Sequence, residues 1–211
     1  STICFGLKFN FKNVSYKGIT GIKNEDIKLA KKLGYKIKLI GSSEVKNNKV
    51  KSIVEPILIK SHSKLANVDG VQNGINIETD FLNSLFIEGE GAGAKATVSS
   101  IISDLMEIAN TSNINSLGFK TSQLKDFESI NYNEIISSYY LRIQVKDIPG
   151  VLAKITTIFN DHGISIETIL QMPKDSSVDN NVEVPIIITT HQNTLALLNK
   201  AIMNIENLDF V

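Results

Sequence analysis

Glycines at every second position, Gly89, Gly91 and Gly93, stand between an apolar run (Leu85, Phe86, Ile87) and a helix pattern that begins at or just before Thr97. Strand, glycine-rich loop and helix in that order bring bare backbone close to a ligand and aim free N–H groups at an anion. Gly91, Gly93 and Ala96 also satisfy G-x-G-x-x-A. The chain beyond Ala96, however, is helix and then polar sequence, without the second strand and acidic residue of a dinucleotide fold. Taken in isolation, the loop is better explained by a turn that merely needs positive φ; its flanking blocks are what favour a binding role. A second turn, Asp147-Ile148-Pro149-Gly150, precedes the helix pattern opened by Val151 and Leu152. Pro149 near the first helical position and Gly150 beside it suit a plain helix opening as well as a binding turn.

The remaining reactive side chains are read structurally. Glu88 and Glu90 flank the glycine loop with no visible partner and are expected to be solvated charges. Asp26, Asp69, Asp80 and Asp104 show no paired-carboxylate spacing, and Asp26 is explained by helix-start electrostatics. His62, His162 and His191 are dispersed, without metal-ligand spacing, so no metal site is expected. Cys4 has no basic neighbour and is read as a small buried hydrophobe.

Composition narrows the function classes. The chain has 211 residues, formal net charge zero and 42% hydrophobic residues. Scattered lysines give no nucleic-acid stripe or membrane-surface patch. One cysteine, no visible signal peptide and no apolar run of membrane-spanning length point to a reducing, cytoplasmic setting.

Residues 1–11 carry Ile3, Cys4, Leu7 and Phe11 near helical spacing, which predicts a buried helix running out; STICFG lacks a cap before it, so a piece of a longer chain is expected. A short extended piece covers Val14 to Ile19. Asn24 is the expected N-cap of a helix whose inner face is Ile27, Ala30 and Leu33, stopped by Gly34. A strand starts at Tyr35, and another runs from Val50 to Ile59, where Pro56 implies an edge or a break. A turn at Lys64 to Asn67 precedes a strand through Val71, Ile75 and Ile77, interrupted by Gly74. The strand at 84–88 then leads through the glycine loop to a helix ending near Asn110, with Val98, Ile101, Ile102, Leu105, Ile108 and Ala109 on one stripe. The first part reads as α+β. Residues 113–137 read as a polar linker with a short turn around Leu117. Beyond Ser138 the pattern is strand (Tyr140 to Lys146), helix, strand (from Ile164), polar loop PKDSSVDNN, strand (Val182 to Thr190, interrupted at Pro185) and helix capped by Asn193. Leu208, Phe210 and Val211 look like the start of a last strand. That order is a ferredoxin-like βαββα(β) unit, 138–211, clipped at its end.

The succession GITGIKNEDIKLAKKLGYKIKLIG, LANVDGVQNGIN and FIEGEGAGAKATVSSIISDL resembles the catalytic domain of the homoserine dehydrogenase family, and residues 1–112 are assigned to it as a partial domain. SYYLRIQVKDIPGVLAKITTIFNDHGISIETILQ resembles an ACT regulatory domain, which bacterial members of that family carry in this place. The resemblance implies NAD(P)-dependent interconversion of L-aspartate 4-semialdehyde and L-homoserine in a homo-oligomer, at least a dimer. It implies that the proton-handling lysine, its acidic partners and the main NAD or NADP domain lie upstream of Ser1. The segment alone is then expected to be inactive. The surviving cofactor contact falls on Gly93, with Ala92 and Gly91 beside it. In ACT domains the turn corresponding to Asp147, Pro149, Gly150, Val151 and Leu152 binds a small amino acid; L-threonine is the expected effector, with dimerisation alone as the other use of such domains. A stand-alone amino-acid-binding ACT protein without catalysis is the alternative to the enzyme.

Overall fold

The computed structural model describes residues 1–110, 117, 120–171 and 183–211. It divides into two compact units, Ser1–Ser129 and Ile130–Val211. Both combine helices with sheet, mixed in the first unit and antiparallel in the second, an α+β architecture.

The first unit opens with a single helical turn, α1 (Thr2–Phe5), which Gly6 ends in the left-handed region at φ 66°. The predicted helix over 1–11 is therefore cut short, because Gly6 turns the chain out of helical geometry. Cys4 is exposed rather than buried, as are Ile3 and Phe11. Leu7 alone of that stretch goes into the core, at 2% exposure, and forms a parallel bridge with Lys125.

After β1 (Ser15–Tyr16), helix α2 spans Asn24–Lys32 with Lys23, not Asn24, at the cap. Asp26 shifts the cap: its Oδ2 accepts the Lys23 N–H at 2.8 Å, satisfying a donor that helix starts leave free. Asp26 is buried in doing so. The inner face becomes Asp26, Leu29 and Ala30, while Ile27 is exposed, one position away from the predicted stripe.

Strands β2 (Tyr35–Lys46) and β3 (Lys49–Lys60) form a long hairpin closed by Asn47 and Asn48, both at positive φ. Two left-handed residues between paired strands match the right-handed twist of a hairpin. On the other side of β3 lie β1, opposite Ile53 and Val54, and β6 (Glu128–Ser129), opposite Lys49 and Val50. Pro56 lies on that second side. Val54 O accepts from Lys17 N at 2.8 Å, and residues two apart point the same way, so the missing donor of Pro56 falls where no described strand pairs. β3 is thus an inner strand rather than an edge strand and does not break; Pro56 is accommodated on a stretch of its flank that no described strand pairs.

β4 (Gln72–Thr79) and β5 (Asn83–Glu90) form a two-stranded ribbon. Gly74 does not interrupt β4; it lies beneath the Phe86 ring, 3.1 Å from where its Cβ would be. Helix α3 (Ala94–Asn110) comes next, starting earlier than Thr97. Its stripe of Val98, Ile101, Ile102, Leu105 and Ile108 is exposed. Of the polar stretch 113–137, residues 113–116 and 118–119 lie outside the described residues, and Lys125 packs with the first unit through Leu7.

In the second unit, β7 (Ile136–Ser137) precedes β8 (Tyr140–Lys146), α4 (Val151–Asp161), β9 (Ile166–Gln171), β10 (Glu183–Thr190), β11 (Asn193–Thr194) and α5 (Leu195–Glu206). The antiparallel order β8-β10-β9 is that of a ferredoxin-like βαββα layer, and β11 pairs β7. Thr194 rather than Asn193 caps α5. Pro185 does not interrupt β10, because its fixed φ is tolerated in extended backbone. Leu208–Phe210 form a turn instead of a strand, with Phe210 folded into the core. The apolar faces of α4 (Val151, Ile155, Phe159) and α5 (Leu198, Ala201, Ile205) close over Val145, Val184, Ile186 and Ile188. The PKDSSVDNN loop and Val182 lie outside the described residues. Among the described residues, no helix is long and apolar enough to cross a membrane.

Candidate functional sites

The glycine bend is shorter than its sequence suggests. Gly89 and Glu90 belong to β5, opposite Asn73 and Gln72, which leaves Gly91, Ala92 and Gly93 as the turn into α3. Of the three glycines only Gly93 has positive φ, at 115°. An added Cβ there would meet nothing within 4 Å, so the backbone face at Gly93 is open. Gly93 O accepts from Thr97 N at 3.1 Å and Thr97 Oγ1 at 3.0 Å. It thus serves as the first acceptor of α3, while N–H groups of that first turn lack partners inside the helix. Open backbone, free donors and the positive helix end together fit a flat or anionic group. Glu88 and Glu90 are exposed.

The bend is braced from the LANVDGVQNGIN stretch. Gly91 N donates to Val71 O at 3.0 Å. Upstream of Val71, Lys38 Nζ donates to Val68 O at 2.6 Å and to Asp69 Oδ1 at 2.5 Å. Lys36 Nζ reaches Asn67 Oδ1 at 3.2 Å and Asp69 Oδ2 at 3.4 Å. The hydrogen bond and charge of Lys38, then those of Lys36, hold the Asp69 carboxyl below its ordinary value.

In the second unit a cleft of about 350 Å³ forms where β8 ends and α4 begins. All five turn residues singled out in the sequence, Asp147, Pro149, Gly150, Val151 and Leu152, line it. Gly150 stands at φ 91°, ψ −11°, immediately before α4, and its carbonyl accepts from Lys154 N at 3.0 Å. The helix start therefore points its free N–H groups toward the cleft mouth, a setting for a carboxylate. The Asp147 carboxylate, exposed in the same turn, is a setting for an ammonium group.

Sequence reasoning missed the rest of the lining. Val145 and Ile186 make an apolar floor, and Gln171 reaches across with Nε2 3.4 Å from Asp147 Oδ1. Gln171 is sequence-distant, but the ladder sets it opposite Ile186. Only the strand order β8-β10-β9 could have revealed it. The cleft wall is tied down from the chain's end: Lys146 N donates to Phe210 O at 2.9 Å, and Lys146 Nζ to Asp209 O at 3.0 Å.

His162 Nδ1 is 2.8 Å from Ile158 O, and its Nε2 is 3.4 Å from Asn204 Nδ2. Among the described residues, no group of three or more His, Cys, Asp or Glu gathers as a metal site would require.

The homoserine dehydrogenase family profile matches residues 1–106, and the ACT domain profile matches residues 139–207. A homoserine dehydrogenase of Neisseria gonorrhoeae is 35% identical over 217 residues, covering 100% of this chain and 49% of the relative. One of Pseudomonas aeruginosa is 36% identical, with the same coverage. The crystal structure of a homoserine dehydrogenase from Thiobacillus denitrificans superposes with a TM-score of 0.85 at 33% identity, over 100% of this chain and 48% of that one. The chain spans about half the length of the curated relatives it matches.

Proposed function

Because the chain belongs to the homoserine dehydrogenase family, we propose that it forms part of an NAD(P)-dependent oxidoreductase interconverting L-homoserine and L-aspartate 4-semialdehyde. The observation that carries this reading is likeness along the whole chain to proteins of that name, rather than any single motif. The nicotinamide cofactor, when bound, accepts or returns the hydride at C4 of the substrate. This chain's contribution at that point is Gly93, whose backbone is bare enough for the ring to approach closely, with Ala92 and Gly91 beside it. We assign the proton-transferring lysine, its acidic partners and the choice between NAD and NADP to sequence outside these residues. The segment by itself is then inactive.

The ACT unit supplies regulation in this reading. A small amino acid, L-threonine by preference, sits at Asp147–Leu152, its carboxylate at the start of α4 and its ammonium near Asp147. Coupling between that site and catalysis is expected on the order of 1–3 kcal/mol. The protein is proposed to act as a cytoplasmic homo-oligomer in the synthesis of threonine and methionine.

The test uses the complete protein, monitoring reduction of NAD⁺ or NADP⁺ on addition of L-homoserine, with calorimetric titration of L-threonine. Turnover with either cofactor supports the assignment; no turnover with both removes it. Absence of heat on threonine addition removes the regulatory half alone.

A further inference from the structure

Two elements supply most of the lining of the cleft in the second unit: the end of β8, with Val145 and Lys146, and the start of α4, with Val151 and Leu152. The turn that joins them, Asp147-Ile148-Pro149, is exposed along its length. So little packing within the turn cannot fix how far apart the two elements stand. That spacing matters to a small amino acid, whose carboxylate is placed at the start of α4 and whose ammonium is placed near Asp147, the residue after Lys146. Both ends of one short molecule must be met at once.

Phe210, in the turn after α5, is tied to both elements. Its carbonyl accepts the Lys146 N–H at 2.9 Å, on the edge of β8 that no described strand pairs. The neighbouring carbonyl, Asp209 O, accepts from Lys146 Nζ at 3.0 Å. Lys154 Nζ lies over the Phe210 ring, 5.4 Å from its centroid. Lys154 belongs to the first turn of α4, where its N–H donates to Gly150 O at 3.0 Å. The ring itself is only 6% exposed and sits in the same buried cluster as Val145 and Val151, both of which line the cleft. A main-chain hydrogen bond and a buried ring do not swing away as surface side chains do. Phe210 is not part of the lining, so it acts on a bound molecule only through the elements it holds.

We infer that Phe210 is a positioning residue for the effector site: it joins the end of β8 to the first turn of α4 and so sets the spacing that a bound amino acid must span. This rests on the proposed reading of the cleft as an amino-acid site. The turn after α5 thereby takes part in regulation although none of its residues meets the effector.

The test uses the complete protein with Phe210→Leu, Phe159→Leu, Lys154→Met and the combination of Lys154→Met with Phe210→Leu, each measured for Tm and for L-threonine Kd by calorimetry. Phe159→Leu is the control, the same loss from the same core at a residue outside the lining. Both leucine variants lower Tm. Only Phe210→Leu raises Kd, by about tenfold or more, the scale on which small misplacements act. Lys154→Met leaves Tm little changed and raises Kd about two- to fivefold, as loss of an exposed cation–π contact would. In the combination it adds nothing to Phe210→Leu, because the ring through which it acts is gone. Should Phe210→Leu not fold, Phe210→Met takes its place. Wild-type Kd in Phe210→Leu or in Lys154→Met, an equal rise in Phe159→Leu, or additive effects in the combination overturn the inference. If the wild-type protein gives no heat with threonine, the proposed effector falls instead, and amide hydrogen exchange decides. The Lys146 and Lys154 N–H groups then lose protection together in Phe210→Leu but not in Phe159→Leu, and unchanged protection overturns the inference.

Discussion

Gly150→Ala isolates the conformational demand of the ACT turn from every steric one. The residue sits at φ 91°, ψ −11°, just before the first turn of α4, and an added Cβ would meet nothing within 4 Å. The whole cost is therefore that of holding an L-residue in left-handed backbone, roughly 1–2 kcal/mol. For a unit of this size, each kcal/mol moves the melting midpoint by about 4–8 °C, so the expected fall is roughly 4–16 °C. Gly163→Ala is the matched control. It stands at φ 66°, also in open space, at the far end of α4 and away from the cleft. Thermal melts of both variants should show comparable losses of stability. L-threonine titrations should separate them, because only Gly150 aims the helix start at the cleft. A wild-type melting point for Gly150→Ala would mean the turn is not held as described. Equal threonine affinity in the two variants would mean that the α4 start does not hold the effector's carboxylate.

Gly93→Val combines strain at φ 115° with a branched side chain on the open face of the bend; cofactor KM in the complete protein should rise, and an unchanged KM together with unchanged turnover would reduce the bend to architecture. Phe159→Ala empties the centre of the ACT core, where the ring is fully buried, and should cost about 3–5 kcal/mol in guanidinium unfolding. Asp69 should titrate below its ordinary value of 3.8, as monitored by NMR. Because its folded pKa is depressed, its contribution to stability is present above that ordinary value and is lost as pH falls through the folded one. Lys38→Met should raise the titration midpoint, and salt should weaken the effect at so exposed a group.

Much of this was legible from residue patterns because local rules and tertiary packing agreed. The strand start at Tyr35, the strand from Tyr140 to Lys146 and the apolar run leading into the glycine bend all specify their elements without help. Misreadings cluster where a local residue redirects the chain. Gly6 ends a helix that apolar spacing extended to Phe11, and Asp26 turns inward to cap α2, rotating its inner face off Ile27. The strands ran through Gly74 and Pro185 because Val68 and Phe86 fill the space a side chain at 74 would need, and the φ that proline fixes is compatible with extended backbone. At the ACT cleft, the contiguous turn could be found from sequence. Gln171 and Ile186 could not, since their place depends on which strand lies between which.

Pro56 has an effect that no contact records. Twelve-residue strands with one flank only partly occupied are templates on which foreign chains can grow by backbone pairing. By deleting a donor just past the point where β1 stops, the ring denies such a guest one of its rungs. Pro56→Val would restore that rung, and the variant should cloud on concentration sooner than its parent.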